Sequence, residues 1–213
     1  MVETATGLIL RTRPLTETSL IVHWLTLQFG RLATVAKGAR RPKSPFRGKL
    51  DLFYLAEFSF ARSPRSELHH LREVSLLETY SFLRRELGYL QQAAYCAALL
   101  EQTTETETPL EPIFELLRGF LESLPRHPLQ TQKVLAFELK LLAELGLQPD
   151  LTQTQLTGGA KELTRQLSTA DWSRIAQFRL SPAQFTELRH FLHGFLIFHL
   201  GKLARGRETA LAV

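Results

Sequence analysis

The sequence predicts an α+β protein, in which a small β-barrel precedes an all-helical region. Five short stretches rich in β-branched and aromatic residues, separated by turn signals, occupy the first 78 residues. Beyond them, apolar residues recur at helical spacing, and prolines and glycines mark helix starts and ends. Positive charge is concentrated at the front, where residues 1–75 hold 12 Lys and Arg against 6 Asp and Glu. We therefore expect two domains, residues 1–78 and residues 79–213.

The predicted strands are 6–13, 19–28, 31–38, 50–62 and 67–77. The stretch "FGR" at Phe29–Arg31 is typical of a hairpin turn between the second and the third of them. The fourth carries bulky apolar residues on both faces, as expected for a barrel strand that is buried on one side and covered on the other. Five short strands in so few residues favour a five-stranded barrel of the oligonucleotide-binding type, the OB fold.

Helices are predicted over residues 80–103, 109–124, 128–146 and from 182 onward. The last begins at "SPAQ", where Ser181 is the expected N-cap, Pro182 the first helical residue and Gln184 the partner in a capping box. Bulky apolar residues lie around this helix, so we expect it to be buried on two sides. The intervening residues, 147–180, are polar and then weakly helical.

The most basic stretch reads "AKGARRPKSPFRGKL" and is interrupted by two prolines and two glycines. Seven basic residues and no acidic one lie between Arg31 and Lys49. Cations on a loop between two barrel strands contact phosphate oxygens, and release of condensed counterions supplies the affinity. We predict that nucleic acid binds Arg11, Arg13, Arg31, Lys37, Arg40, Arg41, Lys43, Arg47 and Lys49. Phe46, inside the same stretch, is the best candidate to stack on a base, and the alternative is that its ring packs back onto the barrel.

Several other classes of protein are disfavoured by the sequence. We find no P-loop, no dinucleotide-binding fingerprint and no nucleophile elbow, and therefore predict no enzymatic activity. The single cysteine, Cys96, rules out an internal disulfide and a cysteine-based zinc site, and it fits a reducing compartment. The N-terminus lacks a signal-peptide pattern, and the apolar residues 190–201 are too few to span a bilayer. We predict a cytoplasmic protein with no metal and no cofactor.

The order of these features closely resembles the bacterial RecO family of DNA repair and recombination mediators. The resemblance begins with "GLILRTRPLTETSLIVHWLT", "FGRLATVAKGARRPKS" and "FRGKLDLF". It continues through "ELHHLREVSLLE" and "FELKLLAELGLQPDL" to "LRHFLHGFLIFHLGK", and so covers nearly the whole chain. The block "VAKGARRPKS" is the most specific.

This resemblance implies an N-terminal OB barrel, a helical domain and, in many members, a zinc-binding insertion. It implies a nucleoid-associated protein that binds single- and double-stranded DNA and anneals complementary strands. It also implies two protein partners, RecR and the single-strand-binding protein, on whose DNA complex the family helps to load recombinase. Some members bind the acidic C-terminal tail of the single-strand-binding protein through the helical domain.

The sequence departs from the family at the zinc-binding insertion. Where many members have Cys-x-x-Cys-Gly, this chain reads Thr154-Gln155-Leu156-Thr157-Gly158, and no second pair of cysteines follows. We therefore expect a shortened, metal-free version of this insertion in the helical domain, at about residues 147–180.

For the acidic tail, Lys133 and Lys140 are the candidate cations, because they lie seven residues apart on one predicted helix, near its apolar stripe. Surface lysines with no role remain the alternative. Two other functions also remain open: an RNA-binding barrel protein in translation or RNA processing, and a scaffold whose basic loop docks an acidic protein. Composition does not separate DNA from RNA; only the family resemblance favours DNA.

Overall fold

The computed structural model of the protein describes residues 2–212. The chain divides into two compact units, which we call the barrel unit and the helical unit. The barrel unit contains residues 2–81 and 104–115, and the helical unit contains residues 82–103 and 116–212. The predicted α+β class, with strands first and helices after them, is confirmed.

The barrel unit is a closed five-stranded barrel in the order β1-β2-β3-β5-β4. Its strands are β1 (Val2–Pro14), β2 (Leu20–Thr26), β3 (Gly30–Ala36), β4 (Leu55–Ala61) and β5 (Leu68–Glu78). Only the β3–β5 pair is parallel; the four other pairs are antiparallel. The closed barrel confirms the predicted OB type.

Aromatic side chains fill the barrel. The Trp24 ring stacks on Phe58 at a centroid distance of 4.0 Å, and Phe60 lies 5.8 Å from Phe58. All three are at most 1% exposed, and burial of each contributes roughly 1.5–3 kcal/mol. The one polar atom of the indole is satisfied, because Trp24 Nε1 donates to Thr34 Oγ1 at 2.9 Å. The inside of the barrel is therefore a packed aromatic core.

The fourth strand is shorter than predicted, since it begins at Leu55 and not at residue 50. A turn precedes it, in which the Tyr54 N–H donates to the Asp51 carbonyl at 3.2 Å. Phe53 adopts a left-handed backbone conformation, with φ of 61°, and buries its side chain. The apolar residues between 50 and 54 alternate as they would in a strand, which explains the predicted start. In the structure these residues form a turn that packs on the barrel.

The helices are α1 (Leu87–Thr103), α2 (Glu111–Ser123), α3 (Thr131–Glu144), α4 (Gly158–Thr169), α5 (Trp172–Ile175), α6 (Pro182–Leu200) and α7 (Arg207–Leu211). Short 3-10 helices cover Ser81–Arg84, Leu124–Arg126 and Leu151–Gln153. Within residues 2–212, no helix combines the length and the apolar character needed to cross a membrane.

A buried ion pair holds α7 in the helical unit. The Arg207 guanidinium donates to both carboxylate oxygens of Glu138 on α3, at 2.7 and 2.9 Å, and the Tyr95 hydroxyl donates to the same carboxylate at 2.5 Å. Arg207 is 2% exposed and Glu138 is 0% exposed. Burial, together with the Glu138 charge, raises the pKa of Tyr95 well above its ordinary value. Removal of either partner would leave an unpaired charge buried in the helical unit, which is strongly destabilising. The ion pair therefore has a structural role.

Helix α6 begins as predicted and packs differently. The Ser181 hydroxyl accepts from the Gln184 N–H at 3.2 Å, and the Gln184 side chain accepts from the Ser181 N–H at 3.0 Å, which completes the capping box. Its fully buried residues form a single stripe of Leu188, Leu192 and Leu196. The prediction that α6 is buried on two sides is wrong, because a bulky residue on a helix does not itself provide a neighbour to pack against.

Candidate nucleic-acid interface

The basic loop, residues 37–50, is an ordered succession of tight turns. The Arg41 N–H donates to the Gly38 carbonyl at 3.0 Å, the Ser44 N–H to Arg41 at 3.0 Å, and the Arg47 N–H to Ser44 at 3.2 Å. Gly38 has φ of 69°, in the region that favours glycine. Prolines and glycines therefore give this loop a fixed path, although it has neither helix nor strand.

Two side chains attach the basic loop to the barrel. Phe46 is 7% exposed and belongs to the barrel core. Lys49 is half-buried, and its ammonium donates to the Val74 carbonyl at 3.0 Å. The structure thus contradicts the expectation that the Phe46 ring is offered to a base: the ring packs inward and anchors the loop.

The basic loop also contacts the turn between β1 and β2. The Arg40 N–H donates to the Thr18 carbonyl at 3.0 Å, and the Arg40 guanidinium donates to the Thr16 carbonyl at 3.2 Å. The Gly38 N–H approaches the Ser19 hydroxyl at 3.4 Å. Arg13 lies on β1 immediately before this turn, so the loop and the strand end carry positive charge at the same end of the barrel.

Within the part of the chain that the structure describes, the basic residues that project from the loop have no carboxylate partners. Those exposed are Lys37, Arg40, Arg41, Lys43 and Arg47. Two of them donate to carbonyl oxygens, Arg40 to Thr16 and Arg47 to Pro42. Among the residues that the structure describes, none of the five forms an ion pair. Their charge is therefore open to an external anion.

Arg11 and Arg13 extend the positive charge along β1. Both are exposed, and Arg11 lies opposite His23 of β2 in the sheet register. Burial is the largest cause that lowers the pKa of His23 to about 4, and the positive charges of Arg11, Arg13 and Arg31 lower it further. The imidazole is neutral at physiological pH, and the surrounding charge comes from arginines alone.

Arg31, unlike the exposed cations of the basic loop, has a structural role. It is half-buried, and its Nε donates to Thr104 Oγ1 at 2.8 Å, while a second guanidinium nitrogen donates to the Thr104 carbonyl. The Glu107 N–H donates to the Arg31 carbonyl at 2.7 Å. Residues 104–108, which we call the return segment, are thereby attached to β3 through Arg31.

Sequence reasoning missed a network of charged residues in the barrel unit, which we call the carboxylate clip. The Arg62 guanidinium donates to Glu3 and to Glu107, each at 2.7 Å. The Ser63 N–H donates to Nδ1 of His69 at 3.3 Å, so the ring proton lies on Nε2, which donates to Glu107 at 2.7 Å. Glu107 adopts a left-handed conformation with φ of 55°. The clip neutralises Arg62 and fastens the return segment.

No local signal in the sequence identifies the carboxylate clip, because Arg62 and Glu107 lie 45 residues apart. The Arg62 guanidinium also lies 5.2 Å from the centroid of the Phe29 ring and 5.8 Å from that of Phe60. These contacts hold the side chain against the barrel.

The structure does not offer Lys133 as a surface cation. It is 1% exposed and donates to the Ser123 carbonyl at 2.7 Å, and burial lowers its pKa to about 8. Lys140 donates to the Ser168 carbonyl at 3.2 Å and lies 5.8 Å from the centroid of the Trp172 ring. Both lysines hydrogen-bond to carbonyl oxygens within the helical unit, and the burial of Lys133 corrects the expectation that it is available to an acidic tail.

An open cleft of about 820 Å³ lies elsewhere in the helical unit, at the starts of α3 and α6. Its apolar wall consists of Phe178, Leu180, Pro182 and Phe185. Gln130 and Gln132 donate to the carbonyls of Ala176 and Phe178, at 2.9 and 3.1 Å, and so fix the segment between α5 and α6. Arg179 is exposed at this cleft. The cleft combines an apolar wall with a cation.

The residues that replace the family's cysteines do not fit a zinc ion. Thr154 donates its hydroxyl hydrogen to the Leu151 carbonyl at 3.0 Å, and Thr157 accepts from the Ala160 N–H as N-cap of α4. Hydroxyl and amide side chains stand where zinc would need thiolates or imidazoles. Within residues 2–212, no group of three or more His, Cys, Asp and Glu side chains is placed to hold a metal ion.

Comparison with known proteins points to one family over most of the chain. The family model described as "Recombination protein O N terminal" matches residues 1–80, and the one described as "Recombination protein O C terminal" matches residues 84–161. The first match contains the whole barrel from β1 to β5 and the basic loop.

Curated relatives agree with these matches. The chain is 31% identical over 160 residues to the DNA repair protein RecO of Rhodopirellula baltica, which covers 75% of this chain and 59% of that protein. It is 33% identical over 146 residues to RecO of Anaeromyxobacter sp. (strain K), with coverages of 68% and 58%, and 33% identical over 172 residues to RecO of Cyanothece sp. (strain PCC 7425), with coverages of 79% and 57%. The chain thus spans a little under six-tenths of the length of these relatives. Since matches to both halves follow each other along one chain, the chain belongs to the RecO family.

Proposed function

We propose that this chain is a non-enzymatic DNA-binding recombination mediator in DNA repair, acting in the cytoplasm at the nucleoid. It binds single- and double-stranded DNA through its basic surface, which consists of Arg11, Arg13, Lys37, Arg40, Arg41, Lys43, Arg47 and Lys49. It anneals complementary strands and, with RecR, assists the loading of recombinase onto DNA coated by the single-strand-binding protein. Residues 1–78 form the DNA-binding domain and residues 79–213 the helical domain, with a shortened metal-free insertion at about 147–180.

The observation that carries this proposal is the group of exposed cations without carboxylate partners on the basic loop. Each phosphate that such a cation neutralises releases condensed counterions, which favours binding of any sequence. The loop is already ordered by its turns and by Phe46, so binding loses little conformational entropy in the loop backbone.

Annealing follows from the same electrostatics. Two DNA strands repel each other through their phosphates, and this repulsion opposes pairing. A surface that neutralises phosphates on both strands lowers the repulsion and raises the local concentration of one strand near the other. No chemical step and no cofactor are needed, because base pairing itself supplies the free energy.

The test is binding of fluorescent single-stranded DNA, across a salt series, to wild type and to Arg40→Glu/Arg41→Glu/Lys43→Glu. We expect a steep loss of affinity with salt in the wild type and a flatter, weaker dependence in the variant. The matched control, Arg85→Glu/Arg126→Glu/Arg174→Glu, changes the net charge equally on exposed residues of the helical unit. It should bind like the wild type.

Two results would contradict the proposal. Equal binding by the wild type and the loop variant would place the phosphate contacts elsewhere. No salt-dependent binding by the wild type would favour the alternative in which the loop docks an acidic protein. Competition with RNA of the same sequence separates the remaining alternative, since a clear preference for RNA would favour a role in RNA processing.

For the acidic tail of the single-strand-binding protein, we propose the cleft at the starts of α3 and α6. It offers apolar contacts from Phe178 and Phe185 and a cation from Arg179, whereas Lys133 is buried. A fluorescent peptide of that tail should bind the wild type and bind Arg179→Glu at least about 5-fold more weakly, because a like charge then meets the tail. The control Arg174→Glu, also exposed, should bind normally; equal binding by both variants would contradict the proposal.

A further inference from the structure

Helix α6 presents a row of aromatic rings on its partly exposed side, which we call the aromatic shelf. It consists of Phe191, Phe195, Phe198 and His199. Ring centroids are 5.7 Å apart between Phe191 and Phe195, 4.3 Å between Phe195 and His199, and 5.0 Å between Phe198 and His199. Phe198 is 83% exposed, the largest value among the exposed large apolar residues of the protein that the structure describes.

The shelf lies beside the buried stripe of Leu188, Leu192 and Leu196 and not opposite to it. Packing of α6 therefore fixes the helix through its leucines and leaves the aromatic rings at its edge. The shelf also lies beyond residue 161, where the C-terminal family match ends. An exposed phenylalanine next to two half-buried ones is an unusual arrangement for a surface that contacts only water.

The segment that carries the shelf has a positive net charge. Between Glu187 and Glu208 the sequence contains no acidic residue. Lys202 and Arg205 follow the end of α6 and are exposed, and neither forms an ion pair within residues 2–212. The Lys202 carbonyl accepts from the Gln102 side chain at 2.7 Å, which fixes the backbone at this point.

We propose that the aromatic shelf is a second nucleic-acid contact, specific for single strands, on which bases stack while Lys202 and Arg205 contact the adjacent phosphates. The inference rests on the proposed function, since it assigns a further contact to the same ligand. Every base has a π-face that stacks on an aromatic side chain. In a duplex these faces are already stacked on each other, so the shelf selects single strands.

The charge distribution favours this occupant over a second copy of the chain. In a two-fold symmetric contact the same patch meets itself. Each copy would then bring Lys202 and Arg205, neither of which forms an ion pair within residues 2–212, to the same contact, which is unfavourable. A single strand brings both the apolar ring and the negative charge that the patch lacks.

The first experiment uses Phe198→Trp as a reporter. The chain's own tryptophans are Trp24, which is 0% exposed, and Trp172, which is half-buried. The difference between the variant and the wild type therefore isolates the new indole. Addition of oligo(dT) should quench its emission through stacking, and a duplex of equal length should quench it much less. Absence of quenching under conditions in which the oligonucleotide is bound would overturn the proposal.

The second experiment measures affinity. Phe198→Ala should weaken binding of oligo(dT) by roughly 5-fold or more and leave duplex binding unchanged. Phe198→Leu should bind oligo(dT) as weakly as Phe198→Ala does, because leucine is apolar but has no ring on which a base can stack. The matched control is Leu87→Ala, which removes another exposed apolar residue, 68% exposed, from the helical unit. Normal single-strand binding by Phe198→Leu would overturn stacking in favour of an apolar protein partner.

The outcomes separate this inference from the proposed function. If the wild type binds no DNA, the proposed function fails and the shelf fails with it. If the wild type binds in a way that depends on the basic loop and Phe198→Trp is not quenched, the shelf alone fails. Sedimentation of the wild type and of Phe198→Ala tests whether a second copy of the chain occupies the shelf. A wild-type dimer that is lost in the variant would overturn the proposal.

Discussion

Two arginine-bearing regions of the barrel unit differ in what surrounds the positive charge. In the basic loop, Arg40 and Arg47 donate only to carbonyl oxygens. In the carboxylate clip, Arg62 donates to two carboxylates, Glu3 and Glu107. The first arrangement leaves a net charge at the surface, whereas the second removes it. A count of arginines therefore does not locate an anion-binding surface; the partners of each arginine do.

Positive charge lowers the pKa of a neighbouring group in both parts of the barrel unit, beside β1 and in the carboxylate clip. Burial has the largest effect on His23, and the positive charges of Arg11 and Arg13 add to it, so that its pKa falls to about 4. In the clip, burial alone would raise the pKa of Glu107, but hydrogen bonds from Arg62 and His69 outweigh it and lower the pKa. Measuring the pKa of His23 or of Glu107 would therefore show how strongly the nearby positive charges act in that part of the barrel unit.

The largest expected effect comes from reversing the open charges. Arg40→Glu/Arg41→Glu/Lys43→Glu should weaken single-stranded DNA binding about 1,000-fold near 0.1 M salt, because phosphate contacts dominate affinity at such a surface. Arg62→Glu reverses a charge that is already neutralised and should change DNA affinity by no more than about 3-fold. Fluorescence anisotropy of both variants tests the comparison directly, and similar losses in the two would contradict it.

The next effect concerns what keeps the basic loop in place. Phe46→Ala should lower the free energy of unfolding by about 3 kcal/mol, as expected for a large buried ring. Phe198→Ala removes a ring that is 83% exposed and should change stability by less than about 0.5 kcal/mol. Urea denaturation measures both; equal stabilities would show that Phe46 does not anchor the loop.

A third effect is the acid sensitivity of His23. The pKa of this group is lower in the folded protein than the ordinary 6.5, so between about pH 6.5 and 4 the unfolded chain binds more protons. Stability contributed by neutral His23 is complete above pH 6.5 and is lost as the pH falls through that window, by roughly 3 kcal/mol. His23→Gln should flatten this part of the stability curve. An NMR titration of wild type that places the pKa near 6.5 would contradict the expectation.

The smallest effect is expected in the clip. Glu107→Gln removes a partly exposed carboxylate and should cost about 1 kcal/mol of stability at pH 7, because solvent screens the ion pairs. Since the pKa of Glu107 is lowered in the folded state, this contribution is present above the unfolded pKa and disappears as the pH falls through the folded one. Glu105→Gln, an exposed neighbour, is the control, and an equal loss in both variants would show that the clip contributes nothing.

Family resemblance and local pattern together predicted much of the architecture. The Ser181 capping box is confirmed because its two hydrogen bonds join residues only three positions apart. The barrel class is confirmed, since five short strands with turn signals leave few other ways to bury both strand faces. The predicted start of β4 was wrong, because the turn at Asp51–Tyr54 shows the same alternation of apolar residues as a strand does.

What the sequence determined by itself is local: the strands, the helix caps, the loss of the cysteine ligands and the concentration of basic residues between Arg31 and Lys49. Tertiary structure decided which of those residues remain exposed. It buried Phe46 and Lys133, and it paired Arg62 with Glu107. The physical reason is that the sequence gives the charge and the size of each side chain directly. The partners of a side chain can lie tens of residues away, and they come into contact with it only when the chain folds.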